Sequence, residues 1–314
     1  MLEPSGAGSK WTDTLGPMGS LASFAWLSIA AALATMALKG LAAWVTGSVG
    51  LLSDALESFV NLGAALLALW MLRVAVEPPD DKHPFGYSKA EYFSAVSEGV
   101  MILVAALAIV ATALPRLIAP QPIEAFGVGI VISLAATAIN LGVALVLLRA
   151  SKRHHSVALE ADADHLLTDV WTSIGIVVGV GAIALTGWLV LDPLIGIGVA
   201  FYIVWTGVGV IRRSLWGLMD RALPESELES IRAVLERCKA KGMDYHALRT
   251  RRAGRRRLVE LHLLVPGAMS VHEGHRLAEE IEDKIRAVLP GTAVLTHLEP
   301  IEDAASYRDQ ELFR

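Results

Sequence analysis

Residues 54–61 read DALESFVN and residues 162–169 read DADHLLTD, and each octet sets polar side chains at its first, fourth and eighth positions inside an otherwise apolar segment. On a helix, positions i, i+3 and i+7 share one face, so Asp54, Glu57 and Asn61 form one polar stripe and Asp162, His165 and Asp169 another. Two stripes of matching spacing can face each other inside a bundle. Ionisable groups at membrane depth cost roughly 2.5–3.5 kcal/mol each even on the lenient insertion scale, and they mark ion or proton pathways. Hydrogen bonding between helices accounts for a lone Asn61. It does not account for six aligned groups that include two acids and an imidazole at Glu57, Asp169 and His165.

The surroundings of the octets are those of a membrane protein. Of 314 residues, 54% are hydrophobic, and the mean hydropathy is +0.51, too apolar for an ordinary soluble chain. A helix crosses the hydrocarbon core in about 20 residues, and six stretches reach that length: 21–46, 49–72, 92–118, 123–149, 157–186 and 188–211. Turn-forming or charged breaks separate them, among them EPPDDKHPFGYS at 77–88, APQP at 119–122 and ASKRHHS at 150–156. Basic residues favour the cytoplasmic side. Lys10, Arg73, Lys82, Lys89, Arg149, Lys152, Arg153, Arg212 and Arg213 all fall on one set of connections, so both termini are expected in the cytoplasm. The N-terminal stretch lacks the cationic start and small-residue cleavage site of a secretory signal, so the first apolar run is expected to stay in the mature protein. The net charge of −5 argues against nucleic acid as a partner. The single cysteine, Cys238, has no disulfide or metal-ligand companion and reads as a neutral thiol.

From Ser214 onward charges become dense and no apolar run is long enough to span. Helical periodicity follows Pro224, strands read around Gly254, a second amphipathic helix opens at Ser270, and TAVLTHLEP closes the pattern as a strand. The expected fold is an all-α six-helix transmembrane bundle followed by a small α+β domain. Its expected divisions are a tail at 1–20, the six-span membrane domain at 21–213, a cytoplasmic domain at 214–302 and a mobile tail at 303–314.

The polar groups of the octets also define a chemistry. Glu57 and Asp169 offer hard carboxylate oxygens, His165 a borderline nitrogen and Asn61 a neutral carbonyl oxygen. One nitrogen with two or three oxygens suits a divalent first-row metal, with zinc the default for a tetrahedral site. Metal binding needs a neutral imidazole and ionised carboxylates, so protons compete for the same groups.

GSVGLLSDALESFVN, HPFGYSKAEY, DADHLLTD and HLEP stand in this order along nearly the whole chain. In these segments the sequence resembles the cation diffusion facilitator family, six-span homodimeric exporters of divalent metals that work as proton antiporters. The resemblance implies a transport site of Glu57, Asn61, His165 and Asp169. The first pair departs from the family pattern, where the second position is commonly Asp, so Asn61 removes a negative charge. Asp54 and Asp162 are read as access-path or helix-contact residues. In the loop after the second span, Asp80 and His83 match ligands of some members, whereas Tyr87 stands where those members supply histidine; the other reading is a solvated turn. His154 and His155 read as interfacial loop.

The resemblance also implies a metallochaperone-like, ferredoxin-like sandwich for the C-terminal domain, with metal held at the dimer contact by His262, His275, His297 and Glu299. His272 is a further candidate. RTRRAGRRR, with six arginines between 249 and 257, reads as a solvated hairpin or as an attraction to anionic lipid.

The expected activity is proton-coupled efflux of a divalent cation, zinc ahead of iron(II), cobalt, nickel, cadmium and manganese, by a homodimer in a bacterial plasma membrane. A metal-sensing or partner subunit without transport is the alternative. A membrane metallohydrolase is the reading from another class; the sequence has neither the H-E-x-x-H motif common to such enzymes nor a Gly-x-Ser-x-Gly elbow, and turnover of a peptide or lipid by the purified protein would revive it.

Overall fold

The computed structural model describes residues 19–46, 49–119, 128–239 and 242–310; the side chains of Asp54, Glu57 and Cys238 lie outside the described set. Six helices of 27 to 30 residues come first: α1 (Gly19–Thr46), α2 (Val49–Ala75), α3 (Ala90–Ile118), α4 (Val128–His154), α5 (Val157–Thr186) and α6 (Leu191–Leu218). Among the described residues, α1, α3, α4 and α6 are long and apolar enough to cross a membrane. The two outside this criterion carry the octets. The described apolar run of α2 begins only at Asn61, and α5 opens with Glu160, Asp162 and Asp164.

Those two helices are shielded by their neighbours. A shared core of Leu21, Ile29, Leu69, Leu147, Leu159 and Leu166 joins α1, α2, α4 and α5. Because the inward positions are mostly leucine and alanine, these helices approach closely, and Asp162 and His165 are buried among them. On the other side of α5, α3 and α6 pack through Ala95, Ile102, Ala161, Ile203 and Val210. Gly99 and Gly207 set this approach. A Cβ on Gly99 would lie 2.6 Å from Ile211 Cγ1 and 3.2 Å from the Gly207 carbonyl, and one on Gly207 3.0 Å from Ile102 Cγ2. Large apolar side chains cover the outside, with Trp44 83% and Trp205 82% exposed, as suits a surface solvated by lipid.

The connection between α4 and α5 is shorter than its charges suggest. The helix α4 runs on through Lys152 and Arg153 to His154, and only His155, at φ 53°, and Ser156 separate it from α5. Long basic side chains carry their charge to water while the backbone stays helical, so the break expected at 150–156 is a helix end. In the same way α6 passes Arg212 and Arg213 to reach Leu218. The buried carboxylate of Glu91 on α3 accepts hydrogen bonds from Ser156 Oγ (2.7 Å) and Val157 N (3.1 Å). An acid there satisfies an orphan amide and complements the helix dipole. It thereby fixes where α5 begins and how deep residues 162–169 lie. Arg213 ties the same end of α5 to α6 through Asp164 at 2.8 Å and Glu160 at 3.5 Å.

A second compact unit begins at Gly217. It contains α7 (Glu225–Lys239), β1 (Asp244–Ala253), β2 (Arg256–Val265), α8 (Val271–Val288) and β3 (Thr292–Pro300). Strand β2 is central, antiparallel to β1 and parallel to β3. One sheet face meets both helices around Ile231, Leu235, Leu261, Leu263, Ile281 and Ile285. Ser270 starts α8 with a full capping box, its Oγ accepting from Glu273 N while the Glu273 side chain accepts from Ser270 N.

Two expectations are corrected. The segment after Asp303 is a 3₁₀ helix over Ala304–Gln310, held by Ser306 Oγ donating to the Pro300 carbonyl and Tyr307 hydroxyl donating to the Ile301 carbonyl. The arginine hairpin is not simply solvated. Arg257 is buried and pairs with Glu227 at 3.0 Å, Arg252 reaches the same carboxylate at 2.9 Å, and Arg251 meets Asp220 at 3.3 Å. Burial pushes Glu227 up, but Arg257 and Arg252 outweigh it and hold the carboxyl below its usual range.

Candidate cation sites

The first cluster lies where α2 and α5 face each other. Asn61 bridges the two acid–base residues of α5: its Nδ2 donates to Asp169 Oδ2 at 2.5 Å, and its Oδ1 lies 2.8 Å from His165 Nε2. The i, i+4 spacing of His165 and Asp169 puts both on one face of α5, and the α2 stripe supplies the residue between them. Glu57 is one turn before Asn61 on α2, with its side chain outside the described residues. His165 is 4% exposed, so whatever binds there exchanges water for protein ligands.

Two neighbours escaped sequence reasoning. Asn140 on α4 donates from Nδ2 to Asp169 Oδ2 at 3.3 Å. Glu98 on α3 is 1% exposed and brings Oε2 to 3.9 Å from His165 Nδ1. Glu98 closes an octet of its own, EYFSAVSE at 91–98, with Glu91, Ser94 and Glu98 at the spacing of the other two, and Asn140 follows Ser133 and Thr137 on one face of α4, so helical spacing could have found both. Asp162 behaves as a helix-contact residue, accepting a hydrogen bond from Ser28 Oγ of α1 at 3.0 Å.

The loop after α2 closes on itself. Asp80 Oδ1 accepts from Lys82 N at 3.0 Å and His83 N at 2.6 Å, while Oδ2 accepts from the Tyr87 hydroxyl at 2.8 Å. The His83 Nδ1 is 3.4 Å from the same carboxylate, and its ring stacks on Tyr87 with centroids 4.3 Å apart. The Tyr87 hydroxyl, then the His83 amide, holds Asp80 below the usual carboxylate range, and Asp80 in turn raises Tyr87. Both carboxylate oxygens are thus committed to the turn.

The third cluster is built by strand register. His246 of β1 pairs with His262 of β2, and His262 pairs with His297 of β3, so three imidazoles form a row across the sheet. Glu299, two residues on along β3, shares the face of His297 and reaches back over the row. It lies 3.0 Å from His246 Nε2, 3.2 Å from His262 Nδ1 and 3.6 Å from His297 Nε2. The ligand atoms of His246, His262 and Glu299 all fall within 4.8 Å of one another, a spacing that one tetrahedral ion can span. His297 is more exposed, and the ring of Tyr307 from the terminal 3₁₀ helix packs on His246 at 5.8 Å.

His246 was missed although it stands in a predicted strand, because only the register puts it opposite His262. His275 is not brought in. It is exposed on α8, whose inward face carries Gly274, Ala278, Ile281 and Ile285; one residue past Gly274 turns the side chain about 100° away from the sheet. His272 is exposed on the same helix.

Comparison with known proteins places nearly the whole chain in one family. Residues 25–219 match the cation efflux transmembrane domain, and residues 223–301 match the cytoplasmic domain of cation efflux proteins. The chain is 50% identical to the transporter sll1263 of Synechocystis sp., over 92% of this chain and 94% of that protein. It is 31% identical to the cation-efflux pump FieF of Klebsiella pneumoniae, over 92% and 95% of the respective chains. To the FieF of Pectobacterium atrosepticum it is 33% identical, over 87% and 90%. The chain therefore belongs to the cation efflux, or cation diffusion facilitator, family: it is a multi-pass membrane transporter with a cytoplasmic C-terminal domain, and not an enzyme.

Proposed function

We propose that this protein exports a divalent first-row transition metal from the cytoplasm in exchange for protons, with zinc the foremost cargo, as a homodimer in a bacterial plasma membrane with both termini cytoplasmic. The observation that carries the reading is the partly buried Asn61 bridge between His165 and Asp169, two groups that bind a metal only after losing protons. Cation arrival would break the amide bridge and replace it with bonds to Glu57, Asn61, His165 and Asp169. Proton return would release the cation and restore the bridge. An imidazole with carboxylate and amide oxygens favours borderline metals over calcium or magnesium.

The cytoplasmic cluster of His246, His262 and Glu299, with His297 at its edge, is the second metal site of this reading, and the matched cytoplasmic domain supports a dimer. Asp80 and His83 are assigned to the loop turn. The test is uptake by proteoliposomes loaded with an indicator for zinc, iron(II), cobalt, nickel, cadmium and manganese in parallel. Flux of one or two metals that disappears in Asp169→Ala is the expected result. A folded wild type that binds metal and carries none would instead make it a metal-sensing partner subunit.

A further inference from the structure

The network around Asn61 leaves one buried carboxylate oxygen unused. Glu98 Oε2 is buried and makes no hydrogen bond, an arrangement that is costly unless a positive charge visits. It faces the Nδ1 edge of His165 at 3.9 Å, while Nε2 of the same ring meets Asn61. That separation is too long for a hydrogen bond. A metal-ligating imidazole presents its other ring nitrogen to a carboxylate, a carbonyl or water, and Glu98 stands on that side of His165, opposite the Nε2 that meets Asn61.

Charge gives a second argument. Asn61 and Asn140 are neutral, so Asp169 is the carboxylate bonded to both amides, and Glu98 is the one that faces the other ring nitrogen of His165. The negative charge of Glu98 adds to that of Glu57 and Asp169 around a dication in a water-poor site. The position of Glu98 is also fixed, because the next residue is Gly99, pressed against α6.

We propose that Glu98 is a cation-site residue contributed by α3: its carboxylate supplies negative charge on the His165 Nδ1 side of the ion held by Asn61, His165 and Asp169, and so helps set affinity and metal preference. This rests on the transport-site reading above. Helix α3 then takes part in cation selection in addition to packing against α5 and α6.

The test is equilibrium binding of zinc, and of cobalt with its visible absorption spectrum, to purified full-length protein. Every variant carries His262→Ala so that the cytoplasmic cluster is silent. Glu98→Gln preserves shape and removes the charge; it is expected to weaken binding roughly 10- to 100-fold and to change the cobalt spectrum. Adding Asn61→Asp to Glu98→Gln returns a carboxylate to the site and is expected to restore most of the loss, which a purely structural role of Glu98 would not do. Glu98→Gln that elutes and melts as wild type and binds both metals with unchanged affinity and spectrum overturns the proposal. If Glu98→Gln does not fold, Glu98→Asp decides: an unchanged spectrum and affinity overturn it, a shift in either supports it. Asp169→Ala is run alongside. Unchanged binding in Asp169→Ala defeats the transport-site reading and this proposal with it, whereas lost binding there beside unchanged Glu98→Gln defeats the role of Glu98 alone.

Discussion

The membrane cluster and the cytoplasmic cluster use the same donors, imidazole and carboxylate, but assemble them in opposite ways. In the membrane, His165 and Asp169 come from one helix and their partners from others, so helical spacing does half the work and helix packing the other half. In the cytoplasmic domain, His246, His262 and His297 come from three strands, and hydrogen-bond register does all of it. The surroundings differ as well. Amides separate the charged groups in the membrane, where an unpaired charge is expensive; in the sheet a single carboxylate touches three imidazoles beside water. The first arrangement suits a cation that must leave again. The second suits one that stays.

The sharpest way to break this comparison is to remove one donor from each cluster. Asp169→Ala is expected to abolish metal flux while leaving cytoplasmic binding intact, measured by uptake and by equilibrium dialysis of the same preparation. His246→Ala is expected to weaken cytoplasmic metal binding by about 10- to 100-fold, whereas His275→Ala leaves it unchanged. Equal effects of the two histidine variants would contradict the strand-register account.

The next effect down is electrostatic. Glu227 is held below its ordinary value by Arg257 and Arg252, so its contribution is fully present above the unfolded carboxylate value of about 4.3 and is lost as pH falls through the lower folded value. Glu227→Gln is expected to cost about 1.5–3 kcal/mol at neutral pH, and the variant's stability should fall less on acidification, as read by chemical denaturation from pH 7 to pH 3. A parallel loss in both proteins would remove Glu227 from the account. Ser270→Ala, which deletes the cap of α8, is expected to cost about 1 kcal/mol in the same assay.

The octets could be read in the sequence because a helix repeats every 3.6 residues and carries its own ruler. Asn61, His165 and Asp169 were legible for that reason. Asn140 and Glu98 were passed over although Glu98 ends a stripe with Glu91 and Ser94 and Asn140 one with Ser133 and Thr137; what the spacing does not give is that they meet α5, which depends on how α3 and α4 pack against it. The limits of the strands were visible as well, but the sequence carries no sign of which residue of β1 faces His262. His275 entered through the family resemblance, and within one chain it stands exposed on α8, apart from the row of imidazoles. The arginines of the hairpin looked solvated because their partners, Asp220 and Glu227, lie outside it in sequence.

The most direct measurement of the central claim is proton counterflow during metal transport, followed with a pH-sensitive dye and a metal indicator in the same proteoliposomes. An imposed zinc gradient is expected to drive protons in the opposite direction in wild type, with both signals lost in Asp169→Ala. Zinc movement that persists in Asp169→Ala, or that proceeds in wild type without any proton signal, would contradict it.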